Sequence, residues 1–277
     1  MNTFNFCKMH GLGNDFVIVD GISQSFNLNQ TEIKKLGCRH FGIGFDQLLL
    51  IKPSKQADFA CEIFNSDGSV AEQCGNGMRC VARFFHEEKL TDKKSFSIET
   101  KSGVVHALIK DYDHIQVNMG VPRFEPSDVP YQADRIRKLY ELPLDDGQPG
   151  FAIAVLSMGN PHAILQVSSI KNFPVSVIAP QIALHRFFPQ GANVGFMEIL
   201  NAEHIKLRTF ERGVGETFAC GSNACAAVVA GILNNSLKNK VKVELAYGDL
   251  WIQWEGSSEP VFMTGPATRV FSGKVEV

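Results

Sequence analysis

The sequence predicts an α+β protein of two pseudo-symmetric domains, each a mixed or antiparallel β-sheet wrapped around one central helix. Three observations predict it. Unusual residues recur at one spacing: Cys74-Gly75-Asn76-Gly77 and Cys220-Gly221-Ser222-Asn223 lie 146 residues apart (220 − 74), as do Asn14 and Asn160, Gln47 and Asn193, and Asn65 and Glu211. Strand signals are short and frequent. Each half also has one long helical stretch directly after its Cys-Gly pair. A constant offset means two copies of one unit, and 277 residues suffice for two cores of ordinary size.

In chain order, strand signals in the first half are Phe16–Val19, Leu48–Ile51, Phe59–Phe64, Phe96–Glu99, Val104–Ile109 and Ile115–Val117. The second half has Phe151–Leu156, Ala163–Val167, Val194–Ile199, Ile205–Phe210, Val241–Ala246, Leu250–Trp254 and Val261–Met263. Helices are expected at Thr31–His40, Gly77–Lys89, Val177–Phe188 (interrupted by Pro180) and Asn223–Leu237. Pro122, Pro126 and Pro130 sit in an aperiodic stretch that makes the best boundary. The expected domains are residues 1–121 and 122–265, and the strand after Thr264-Gly265-Pro266 could rejoin the first.

Composition narrows the function. Hydrophobic residues make up 44% and charged residues 20%, as in soluble globular proteins. A net charge of −2 gives no reason to expect nucleic acid or an acidic membrane surface as partner. The opening Met1-Asn2-Thr3-Phe4-Asn5-Phe6-Cys7-Lys8 lacks a basic stretch followed by an apolar one, so no secretion signal is read and a cytoplasmic location is expected. Thr217–Leu237 has no charged residue, but its solidly apolar part runs only from Ala224 to Leu233, too short for a bilayer. It reads as a buried core helix. Seven cysteines cannot all pair, so free thiols in a reducing compartment are expected.

A thiol at the first turn of a helix faces exposed N–H groups and the positive end of the helix dipole, which favour thiolate. The glycine after it lets a carboxylate approach those N–H groups closely. Cys74 with Gly75-Asn76 and Cys220 with Gly221-Ser222 therefore each read as a base beside an anion cradle. Either cysteine alone would more often be a buried packing residue. The pair at one offset beside amide side chains favours function. Two thiols suit inversion of a carbon centre, because one removes a proton from one face while the other delivers a proton to the opposite face. With an unperturbed pKa of about 8.5, the two would titrate as a coupled pair.

Asn65-Ser66-Asp67-Gly68-Ser69 with Ala71-Glu72-Gln73-Cys74-Gly75-Asn76-Gly77-Met78-Arg79-Cys80 resembles the first signature of the diaminopimelate epimerase family. Thr209-Phe210-Glu211-Arg212-Gly213-Val214-Gly215-Glu216-Thr217 with Ala219-Cys220-Gly221-Ser222 resembles the second. His10-Gly11-Leu12-Gly13-Asn14-Asp15-Phe16 and Gly159-Asn160-Pro161-His162 are similar to that family too, so the likeness spans the chain. It implies a site in the cleft between the domains and an enzyme that interconverts LL- and meso-diaminopimelate, a lysine and peptidoglycan precursor, with neither cofactor nor metal. It implies Cys74 and Cys220 as acid/bases, with His162 and Glu211 as further catalytic residues. It implies Gly75, Asn76, Gly221 and Ser222 around the reacting carboxylate, and Asn14, Gln47, Asn65, Asn160, Asn193 and Glu211 on the substrate. Arg212 would hold the distal carboxylate, a task that suits a planar guanidinium. Asn223 stands where the family more often has glycine; asparagine tolerates left-handed backbone, so little effect is expected. Oligomeric state stays open, a homodimer included.

Other readings fit less well. The Gly11-Leu12-Gly13, Gly42-Ile43-Gly44 and Gly213-Val214-Gly215 runs lack the third glycine of a dinucleotide fingerprint. Cys74/Cys80 and Cys220/Cys225 lack zinc spacing, and Cys80 and Cys225 read as core residues inside helices. A proline or hydroxyproline racemase would leave Arg212 nothing to bind, and a non-catalytic binding module would make the thiols incidental.

Overall fold

A computed structural model of the chain describes residues 3–72, 74–143 and 150–277; Gln73 of the first signature and Met1-Asn2 of the opening lie outside the described residues. Two compact units emerge, Met1–Asn118 with Thr264–Val277, and Met119–Met263.

Unit 1 begins with β1 (Thr3–Gly11), β2 (Asn14–Asp20), α1 (Gln30–Gly37), β3 (Gln47–Lys52), β4 (Phe59–Asn65) and β5 (Val70–Ala71). Then come α2 (Gly75–Glu87), β6 (Ser95–Thr100), β7 (Gly103–Ile109) and β8 (Ile115–Asn118). Unit 2 holds β9 (Tyr140–Leu142), β10 (Phe151–Ser157), β11 (Pro161–Gln166), α3 (Val175–Ala183), β12 (Asn193–Asn201), β13 (His204–Glu211) and β14 (Gly215–Thr217). It continues with α4 (Gly221–Leu233), β15 (Lys240–Leu245) and β16 (Gly248–Gln253); β17 (Phe262–Gly265) crosses the division, and β18 (Thr268–Glu276) belongs to unit 1.

In unit 1, β18 pairs antiparallel with β1, and the order continues β1-β2-β3-β4-β6-β7-β8, with parallel pairing at β2/β3 and β4/β6. Unit 2 repeats this as β9-β10-β11-β12-β13-β15-β16, parallel at β11/β12 and β13/β15. The central helix touches strands far apart in each order: α2 packs on β1, β2, β7 and β8, and α4 on β10, β11, β12, β13 and β16. The sheet therefore curls around its helix. On the opposite sheet face, Ile33 and Leu36 of α1 join Val17, Val19, Leu48 and Leu50, and Ala179 and Ile182 of α3 join Ala163, Leu165, Val194 and Phe196. Strands covered on both faces read as continuous apolar runs, which is why Leu48-Leu49-Leu50-Ile51 is so plain in the sequence.

The duplication extends to hydrogen-bond register. Phe16 pairs Gln47 and His162 pairs Asn193; Ile63 pairs Ala71 and Thr209 pairs Thr217, every position 146 residues from its counterpart. Past the helices the offset becomes 145: the Thr100↔Gly103 pair closing one hairpin matches Leu245↔Gly248, and both glycines have positive φ, 125° and 137°.

Several elements differ from the sequence expectation. α1 starts at Gln30, because Asn29 caps it and forms a capping box with Glu32. α2 and α4 begin two residues earlier than expected, directly after each cysteine, and α3 runs through Pro180 to end at Ala183. β1 has no counterpart among the expected strands; its Phe4 and Phe6 alternate into the core. Among the described residues no helix is long and apolar enough to cross a membrane, and α4 is buried along almost its whole length.

Candidate active site

Each cysteine occupies the N-cap of its central helix in extended backbone, Cys74 at φ −147° and Cys220 at φ −121°. The cap position presents the side chain to the unsatisfied N–H groups of the first turn. Accordingly the Gly77 N–H donates to Cys74 Sγ at 3.4 Å.

In unit 1, Leu12 and Gly13 both take positive φ (56° and 89°) in a two-residue hairpin loop, which makes Asn14 the first residue of β2. The Cys74 thiol donates to Asn14 Oδ1 at 3.8 Å, and Asn76 Nδ2 donates to the same oxygen at 3.2 Å. Asn14 Nδ2 in turn donates to Asp46, which is ion-paired to Arg39; Arg39 and Lys8 pair with Asp15. Burial raises the Asp15 carboxyl, but the bonds from Arg39 and Lys8 outweigh it and hold the group at about 2. Gln47 Nε2 donates to Asn65 Oδ1 at 3.0 Å, and Asn65 Nδ2 donates to Ser69 Oγ at 3.0 Å. Thus Cys74, Asn76 and Asn14 form one cluster, while Gln47 and Asn65 are joined to each other across β3 and β4.

The sequence alone assigns Arg79 no role of its own. Fully buried on α2, it donates from Nη1 to Asn76 Oδ1 at 2.9 Å and from Nε to the Pro266 carbonyl at 3.1 Å. It locks the Asn76 amide with its NH₂ toward Asn14. A charged residue on the apolar stripe of a helix was the signal available for it.

In unit 2, Cys220 is 6% exposed and its Sγ lies 3.5 Å from Ser222 Oγ. Burial pushes the Cys220 thiol well above the ordinary cysteine range, and the Glu211 carboxylate adds to the push, against partial relief from the Ser222 hydroxyl and the Asn223 N–H. At Cys220 desolvation thus works against the thiolate that a helix start would favour. Glu211 accepts from Thr217 Oγ1 at 2.5 Å, and Thr217 is 3.1 Å from Thr209 Oγ1. Asn193 Oδ1 accepts the Arg212 N–H at 2.9 Å, and Arg212 Nη1 donates to the Gln190 carbonyl.

His162 is fully buried on β11, with Nε2 2.9 Å from Asn160 Oδ1 and Nδ1 without a partner. Because the asparagine oxygen can only accept, Nε2 carries the hydrogen and Nδ1 the lone pair. Burial lowers its pKa to about 3, so the ring is neutral. Asn223 is the third residue of α4 and not a left-handed position, which corrects the sequence rationale for it. Its Nδ2 donates to the Val194 carbonyl at 3.0 Å. Among the described residues there is no cluster of three or more His, Cys, Asp or Glu side chains placed to hold a metal.

The profile of the diaminopimelate epimerase family matches residues 6–125 and 154–270. The diaminopimelate epimerase of Nitrosospira multiformis is 48% identical over 273 residues, 98% of each chain, and that of Acinetobacter baumannii is 48% identical over 274 residues, 98% of this chain and 97% of the other. Among solved structures, a hydroxyproline epimerase from Agrobacterium vitis superposes with a TM-score of 0.72 at 14% identity, covering 99% of this chain and 91% of the other. A Bacillus anthracis phenazine biosynthesis protein of the PhzF family gives 0.69 at 18%, over all of both chains. These distant likenesses establish the α+β fold. The closer ones establish an epimerase-type enzyme: the chain belongs to the diaminopimelate epimerase family.

Proposed function

We propose that the protein converts LL-2,6-diaminopimelate to the meso form by two-base inversion. The substrate follows from the family and from relatives nearly half identical over their full length. The mechanism rests on one observation: both halves of a register-level repeat end a strand–turn segment in a cysteine that caps a buried helix. One cysteine, as thiolate, takes the Cα proton and becomes a thiol. The resulting carbanion is stabilised as an enediolate by helix N–H groups at Gly75-Asn76 and Gly221-Ser222. The other cysteine, as thiol, protonates the opposite face and is left as thiolate, so the protons balance and the roles swap in the reverse direction.

The raised pKa of Cys220 favours its protonated form in the absence of substrate, which suits the donor's role. Asn14, Gln47, Asn65, Asn160 and Asn193 are assigned to substrate contacts, and Arg212 to the distal carboxylate. His162 and Glu211 complete the catalytic set. Glu211 suits the reacting ammonium, and neutral His162 orients Asn160 through their hydrogen bond. The two units are read as two copies of one epimerase repeat. Incubation with LL-diaminopimelate in heavy water, followed by NMR, should show deuterium at the inverted Cα. No exchange would overturn the reading. Faster exchange on proline or hydroxyproline would transfer it to a monocarboxylate racemase.

A further inference from the structure

The internal repeat supplies its own control for an unexplained residue. Phe16, Leu49 and Gly77 in unit 1 correspond, 146 residues on, to His162, Gly195 and Asn223 in unit 2. Beneath the start of α2, a methyl group placed on Gly77 would lie 3.2 and 3.4 Å from the Leu49 methyls and 3.4 Å from the Phe16 ring. There the strand carries the bulk and the helix carries none. Beneath α4 the arrangement is reversed. A methyl group on Gly195 would lie 2.4 Å from Asn223 Oδ1 and 2.8 Å from Ile164 Cδ1, so only glycine on β12 makes room for the asparagine on α4.

Filling the space did not require a polar group. Asn223 is fully buried; its Nδ2 donates to the Val194 carbonyl, and its Oδ1 has no partner. A carbonyl only accepts, so this bond fixes which way the amide points. Val194 directly follows Asn193, and Asn223 stands three residues after Cys220, so the bond fastens the first turn of α4 to the strand that carries Asn193. In unit 1 the corresponding glycine makes no such side-chain bond. We infer that Asn223, paired with Gly195, is a positioning residue that holds the Cys220 helix start in register with β12 for the proton transfer. This rests on the role proposed for Cys220.

A residue that only fills space should be replaceable by the arrangement the protein already uses in unit 1. The test is therefore the double variant Asn223→Gly/Gly195→Leu, with Asn223→Leu as a second, nearly isosteric variant that cannot donate. Thermal midpoint, KM and kcat for diaminopimelate inversion are measured for each and for the unmodified protein. Misplacement of about 1 Å at a reacting group lowers a rate by as much as about a hundredfold. The expected result is a thermal midpoint near the starting value in at least one variant, KM within about threefold, and kcat lower by about tenfold or more. A variant that keeps both its midpoint and its kcat would overturn the inference, showing Asn223 to be a filler. Loss of kcat only in proportion to loss of folded protein, in both variants, would also overturn it. Absence of solvent deuterium incorporation by the unmodified protein would instead remove the two-base reading on which it stands.

Discussion

The first turns of α2 and α4 share a cysteine cap and a following glycine, yet their surroundings have diverged in opposite directions. Around Cys74 the polar groups are linked to one another and to charge: Asn14, Asn76 and buried Arg79 join, and Asn14 continues to Asp46, Arg39, Asp15 and Lys8. Around Cys220 the polar groups are sunk under the helix. His162 and Asn223 are both fully buried, and each leaves one atom without a hydrogen bond. A buried acceptor without a partner costs about 1–3 kcal/mol. Duplication of the backbone thus places both thiols at a helix start, while the side chains around each start differ, and at Cys220 burial and Glu211 oppose loss of the proton. Under the two-base reading proposed above, a pair of thiols that must occupy opposite protonation states would gain from surroundings that differ in this way.

The largest effect tests whether the halves are equal partners. Cys74→Ala and Cys220→Ala should each lower inversion by about a thousandfold or more, within the range of a lost general acid or base. Near-native turnover in either variant, measured by NMR or polarimetry, would break the comparison. Packing comes next. Leu49→Ala leaves a cavity over Gly77 and should cost about 2–5 kcal/mol in urea unfolding. Gly195→Ala, at the matching position, should cost about 1–3 kcal/mol by overpacking Asn223 and Ile164. Equal stability of Gly195→Ala and the unmodified protein would show that the slot under α4 is looser than described.

Histidine 162 gives a smaller, pH-dependent effect. Its folded pKa of about 3 lies below the unfolded value of about 6.5, so above the upper value both states are neutral and there is no penalty. As pH falls from about 6.5 toward 3 the unfolded chain takes up the proton first, and stability declines by at most about 1.4 kcal/mol per pH unit. His162→Phe, which copies Phe16, should flatten that decline in acid unfolding curves. An unchanged slope would place the proton uptake elsewhere. The smallest effect concerns Cys220. Glu211→Gln removes one contribution that raises the thiol, so alkylation by iodoacetamide should titrate at lower pH than in the unmodified protein. Burial is the larger cause, so the midpoint should stay above the ordinary range. An upward shift would contradict the assignment.

Much of this was legible in the sequence, because a repeat with a constant offset marks equivalent positions without coordinates. A helix soon after each of Cys74 and Cys220 followed from the cysteine-glycine pairs and the apolar runs after them, to within the two residues by which α2 and α4 begin earlier than expected. The raised pKa of Cys220 was not legible, since it depends on how much water a folded sheet excludes. Arg79 was visible as a charged residue on an apolar helix face, but its acceptor, the Pro266 carbonyl, lies 187 positions away. The Gly77/Leu49 and Asn223/Gly195 exchange was present in the spacing; what the sequence lacked was the fact that β3 and β12 turn those positions toward the helix.

Strand β18 adds a consequence for synthesis. It pairs with β1 over eight register positions, and both belong to unit 1. Unit 2, by contrast, is one uninterrupted segment, Met119–Met263. On a ribosome, Thr3–Gly11 would emerge early with one ladder edge bare until residues 264–277 arrive, after the whole of unit 2 has been made. An open strand edge invites wrong pairing. The half translated first is therefore the half finished last, and its waiting edge is where slow synthesis or a chaperone would matter most.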